Sequence, residues 1–129
     1  MIGSKLSLSI LQGRFAVCRL EKEEPVPEWG VRGDFISITR TVDELSIVCL
    51  EDGVPYSVRC EKGWLCLKVE GPLDFSLTGV LASLTAPLAE AKISIFVLST
   101  FDTDYLMVKE KDLEAAASVL TGAGHTIRG

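Results

Sequence analysis

The hexapeptide STFDTD, residues 99–104, concentrates more polar chemistry than any other bend in this chain. Ser99, Thr100 and Thr103 bring three hydroxyls, and Asp102 and Asp104 bring two carboxylates. Apolar runs flank the stretch, ISIFVL before and YLMV after. A carboxylate in such a bend can accept a charge-assisted hydrogen bond from a cationic ligand group, worth about 1.5–3 kcal/mol. The same residue types also build bends by bonding to their own backbone, and both readings stand. A calcium loop does not fit. The sixth position from Asp102 is Met107 where glycine is needed, and the twelfth is Leu113 where glutamate is needed.

Elsewhere reactive groups are sparse. Cys18, Cys49, Cys60 and Cys66 form no C-x-x-C pair, and three of them sit in the apolar runs AVC, IVC and LCL. They read as buried free thiols. The single histidine, His125, reads as a surface residue. A zinc centre needs clustered Cys or His, so neither metal nor cofactor is expected. No base, nucleophile and orienting group stand together, so no enzyme is expected. Gly122-Ala-Gly124 follows a helix instead of opening one, which excludes a phosphate loop. Trp64 opens an apolar run and reads as core. Trp29 lies in a polar loop and reads as cover for a sheet or wall of a pocket.

These groups need a scaffold, and the chain can build one. Of its 129 residues 47% are hydrophobic, enough for one domain or two small units sharing a core. The net charge of −5 comes with no basic run, so neither nucleic acid nor an acidic membrane surface is expected as a partner. No apolar run approaches the roughly 18 residues that span a bilayer. In MIGSKLSLSI, Leu6, Leu8 and Ile10 alternate with serine, the period of a strand instead of a leader peptide. A cytoplasmic location is expected.

Residues 6–11 and 14–20 read as a hairpin around Gln12-Gly13. Residues 21–33 carry two prolines and two glycines and read as a loop. Residues 35–40 and 45–50 form a second hairpin, and 56–60 and 64–70 a third around Glu61-Lys62-Gly63. Leu77, Val80, Leu81, Leu84 and Leu88 share one helical face. They predict a helix over 76–91, capped by Asp74 or Ser76 and kinked or ended early by Pro87. The 93–108 hairpin follows. A second helix is expected over 112–123, capped by Asp112, with Leu113, Ala116, Ala117 and Leu120 inward and Gly122 and Gly124 ending it. Residues 125–128 form a last strand. From Trp64 the order is βαββαβ, an α+β ferredoxin-like sandwich with an antiparallel sheet and two helices on one face.

The two halves resemble each other. FISITRTVDELSIVCLED aligns without a gap on IFVLSTFDTDYLMVKEKD at an offset of sixty. Thr39 then falls on Ser99, Thr41 on Phe101 and Glu44 on Asp104. The first copy, residues 1–60, keeps strands where the second, residues 61–129, has helices. Two units are expected, the first truncated and helix-poor.

ISIFVLSTFDTDYLMVKEKDLEAA resembles the signature hairpin and following helix of the ACT-domain family, in its branch of CASTOR-like amino-acid sensors and their small bacterial relatives. GPLDFSLTGVLASLTAPLAEAKIS is similar to the strand-to-helix entry of that branch, with Gly71 to Phe75 in the matching run. The resemblance implies tandem ACT-like units forming a non-catalytic, amino-acid-binding regulatory or sensor module. It implies a ligand site at the junction of the units, drawn from Leu73, Asp74, Phe75, Ser94 and Ile95 together with Ser99, Thr100, Asp102, Thr103 and Asp104. It implies a homodimer, and a regulated protein partner. The alternative is a protein–protein interaction module with a vestigial ligand pocket.

Overall fold

A computed structural model describes residues 5–70 and 79–129. In chain order its strands are β1 (Ser7–Ile10), β2 (Phe15–Leu20), β3 (Ser37–Arg40), β4 (Leu45–Leu50), β5 (Arg59–Val69), β6 (Ile95–Ser99), β7 (Asp104–Lys109) and β8 (Thr126–Arg128). Its helices are α1 (Val80–Glu90) and α2 (Leu113–Gly122). The chain divides into two compact units, residues 13–64 inserted within a second unit built from residues 5–12 and the chain from 65 onward.

The inserted unit has strand order β3-β4-β2-β5. Ala16, Cys18, Leu45, Ile47, Cys49 and Val54 form its core, and Trp29 and Val58 pack against it. The expected loop over 21–33 contains only a four-residue 3₁₀ turn, Glu28–Val31. The chain does not turn at Glu61-Lys62-Gly63 as expected. β5 runs straight through these residues. Phe15 pairs with Trp64 and Val17 with Glu61, so two steps of β2 face three of β5, and Gly63 sits at φ +84°. The glycine marks a β-bulge, a conformation that side chains resist. Its N–H donates to Glu51 Oε1 at 2.9 Å, while Glu51 Oε2 meets Arg14 Nε at 3.1 Å.

The second unit carries the βαββαβ order through β5, α1, β6, β7, α2 and β8. Its sheet runs β6-β7-β5-β1-β8. β1 and β2, expected as a hairpin, do not pair with each other among the described residues. β1 lies antiparallel to β5 and parallel to β8. The fully buried Leu8 thus has a partner strand on each side, where a two-strand hairpin would leave one edge bare. β1, grouped with residues 1–60 in the sequence reading, therefore belongs with the helices.

Val80, Leu84 and Leu88 bury one stripe of α1, and Ala116 and Leu120 one stripe of α2. With Leu8, Leu67, Val69, Leu106 and Val108, Leu84, Leu88, Ala116 and Leu120 close the core. The proposed caps Asp74 and Ser76, and Leu77, lie outside the described residues. Pro87 does not end α1 early; the helix continues to Glu90. Asp112 precedes α2 but makes no side-chain cap, because Glu110–Asp112 form a 3₁₀ turn that leads into the helix. α2 ends as the glycines indicate. Gly124 takes φ +103°, its N–H reaches Thr121 O at 3.0 Å, and His125 N–H reaches Leu120 O at 3.0 Å. That pair of bonds is a Schellman motif.

The motif turns His125 inward, so the histidine is buried, 4% exposed, and not a surface group. Leu6 N–H donates to its Nδ1 at 3.1 Å, and its Nε2 lies 3.0 Å from Ser83 O. The first contact assigns the proton to Nε2, which donates to Ser83 O. Ser83 is four residues before Pro87, which has no N–H to give that carbonyl. The imidazole supplies the missing donor.

Each unit contains one hairpin closed by the same bend. Thr41 N–H donates to Glu44 O and Thr100 N–H to Thr103 O, both at 2.9 Å. In each, the first threonine's Oγ1 accepts the backbone N–H three residues on, at 3.2 Å and 3.3 Å. The ladders agree, Arg40 opposite Leu45 and Ser99 opposite Asp104. The structural equivalence therefore runs at an offset of fifty-nine, not sixty. Thr41 matches Thr100, Asp43 matches Asp102, and Val42 matches Phe101. Both tip residues are exposed, 82% and 80%.

Candidate functional site

The bend at 99–104 is built largely by its own polar groups. Ser99 Oγ donates to Asp104 Oδ1 at 2.6 Å, across the last rung of the β6–β7 ladder. Thr100 Oγ1 donates to Thr103 O at 3.1 Å. Thr103 turns inward and is 4% exposed, and its Oγ1 donates to Val69 O at 2.6 Å. That hydroxyl anchors the hairpin to β5 and is not free for a ligand. Asp102 is exposed at the tip beside Phe101. Of the two carboxylates, Asp102 is exposed, while Asp104 is half-buried and already accepts from Ser99.

Ser94 and Ile95 stand at the start of β6 and the bend at its end. Ser94 is exposed, and Ile95 is half-buried against the core. Five residue steps separate Ser94 from Ser99, roughly 16 Å at the usual strand rise. One amino acid does not bridge that gap within a single unit. Leu73, Asp74 and Phe75 lie outside the described residues.

The cysteines are free thiols. Cys18 is held far above its ordinary value, first by its hydrogen bond to Cys49 and then by burial, and Cys49, the acceptor, is the lowered member of the pair. Burial pushes Cys66 up to about 12. Among the described residues, no group of three or more His, Cys, Asp or Glu is placed to hold a metal, and no helix is long and apolar enough to cross a membrane.

Two features escaped the sequence reading. One is the interior role of His125, whose signal was a glycine one residue before it at a helix end. The other is a groove of about 460 Å³ in the inserted unit, between the segments that follow β2 and precede β5. Of the residues the sequence singled out, Trp29, read as cover for a sheet or wall of a pocket, lines it; none of the ten residues assigned to ligand binding does.

The fold is that of an ACT domain, and comparison with known proteins agrees. A family model described as ACT domain matches residues 59–122, and a model of an N-terminal domain matches residues 13–57. The chain belongs to the ACT-domain family, in the branch of CASTOR-like proteins. It is 31% identical over 100 residues to the bovine cytosolic arginine sensor for mTORC1 subunit 1, covering 69% of this chain but 30% of the sensor. It is 34% identical over 103 residues to the human protein CASTOR3P, covering 70% of this chain and 63% of that one. The chain thus spans under two thirds of these curated relatives. A crystal structure of an Agobacterium tumefaciens protein is similar over 97% of this chain and 93% of its own, with 47% identity and a TM-score of 0.92. An aspartate kinase of Clostridium acetobutylicum shares the fold alone, at 14% identity and TM-score 0.70, over 35% of its length.

Proposed function

We propose that this protein is a non-catalytic, amino-acid-binding regulatory module of ACT type. The observation that carries the reading is the ACT match over 59–122, which coincides with the βαββαβ order from β5. The names of the relatives, arginine sensors, support an amino acid as the ligand. On this reading residues 13–64 are a truncated ACT-like unit, which their matching strand order and bend support. A ligand's ammonium binds Asp102, the outward carboxylate of the bend. Backbone N–H groups near residues 73–75 and 94–95 take its carboxylate. Because Ser94 and the bend lie at opposite ends of β6, a second copy has to complete the site, so the functional form is a homodimer. It acts in the cytoplasm on a protein partner.

A thermal-shift screen of the common amino acids, led by arginine, tests this. Ligand at a hundred times its dissociation constant stabilises the fold by about 2.7 kcal/mol, about 8 °C or more for a chain of this size. Asp102→Ala abolishes the shift, and light scattering finds a dimer at micromolar concentration. If no amino acid moves the melting temperature, the protein–protein interaction module with a vestigial pocket replaces the sensor.

A further inference from the structure

The inserted unit holds a second candidate site. In the helix-bearing unit, Leu84 and Leu88 of α1 and Ala116 and Leu120 of α2 fill the space over the sheet. In the inserted unit the corresponding segments are loops with short 3₁₀ turns, and a groove of about 460 Å³ opens between them. That volume falls within the range of small-molecule sites.

Two arginines line the groove. Arg19 of β2 and Arg59 of β5 are direct cross-strand partners. Like charges in that position destabilise a sheet unless something between them answers the charge. Arg19 is already engaged, its Nη1 3.3 Å from Glu21 Oε2 and its Nη2 donating to Asp43 O at 3.1 Å. Among the described residues, no acceptor meets the Arg59 guanidinium. Trp29 and Val58 give the groove an apolar wall, and Glu21, which already meets Arg19, and Glu24 also line it. An unpaired guanidinium beside a second one, next to an indole, is the chemistry that recognises a carboxylate on an apolar body.

We infer that this groove binds a small organic acid, its carboxylate on Arg59 and Arg19 and its apolar part against Trp29. The site lies wholly within the inserted unit and does not depend on the amino-acid reading of the bend.

The test is ¹⁵N NMR of the full chain, following the Trp29 indole and Arg59 Nε resonances during titration with phenylacetate and with L-phenylalanine. Both resonances move on titration with at least one of the acids. Arg59→Gln weakens binding about tenfold or more, the effect of one charged hydrogen bond. Arg128→Gln in β8 leaves it unchanged. Tighter binding of L-phenylalanine that Glu24→Gln levels identifies an amino acid as the source of the carboxylate. Binding of phenylacetate that is equal to or tighter than that of L-phenylalanine identifies a plain organic acid. The inference is overturned if neither acid moves the Trp29 resonance, or if Arg59→Gln retains the native spectrum and binds as tightly as the unmutated chain.

Discussion

The contact of His125 with Ser83 makes a quantitative prediction about His125 and Pro87, thirty-eight positions apart. His125→Phe keeps an aromatic ring but removes the acceptor for Leu6 N–H and the donor for Ser83 O. Each orphaned group costs about 1–2 kcal/mol, so the substitution destabilises by about 2–4 kcal/mol. Pro87→Ala gives the helix an N–H that can reach Ser83 O, and it removes a residue unfavourable by up to about 3 kcal/mol in a helix interior. Part of that gain is cancelled, about 0.4–1 kcal/mol, because proline also restricts the unfolded chain. In the Pro87→Ala background Ser83 O has its own helical donor. His125→Phe then costs about half as much, a coupling of about 1–2 kcal/mol. Urea unfolding of the four proteins in the cycle measures it. Additivity within about 0.5 kcal/mol, the behaviour of independent sites, would refute the claim that the imidazole replaces proline's missing donor.

Thr103→Val orphans Val69 O and costs about 1–3 kcal/mol, whereas Asp102→Ala at the exposed tip changes stability by less than about 0.5 kcal/mol. Equal melting temperatures for the two variants would show that the inward hydroxyl does not anchor the hairpin. Lys92, at φ +61° after α1, occupies a left-handed position that costs a side chain about 1–2 kcal/mol. Lys92→Gly therefore stabilises, by about 0.5–1 kcal/mol once glycine's extra unfolded freedom is subtracted, and a lower denaturation midpoint counts against this. Maleimide at neutral pH labels Cys60 first, since it is the half-exposed thiol among three buried ones. Mass mapping that finds Cys18 or Cys66 modified as fast would contradict the burial argument.

The βαββαβ order was legible because leucine spacing in α1 and alternation in the strands are strong local signals. Pairing was not. Residues 6–11 and 14–20 have strand periodicity, but periodicity does not say that both strands take β5 as a partner. Glu61-Lys62-Gly63 has the composition of a turn, and only the opposing strand shows that Gly63 is a bulge. The hairpin equivalence was off by one residue because alternation tolerates a shift that side-chain hydrogen bonds do not. Thr41 and Thr100 fix it through their bonds. For the candidate site, residue types drew attention to the bend, but they did not reveal that Thr103 points inward or that Ser94 stands at the far end of β6. Arg19 and Arg59 are forty residues apart, and only the β2–β5 ladder puts them side by side.

The placement of β1 has a consequence for the order in which the protein is made. The strand is translated before both of its partners, β5 and β8. Residues 13–64 can collapse while β1 waits, its Leu8 uncovered, until residue 128 leaves the ribosome. A ladder that pairs Ser7 with Thr126 carries a large loop-closure cost, so docking of β1 is the late step of folding. Until then the forming sheet has an open slot between β5 and β8, and the β1 of another nascent chain fits it as well as its own.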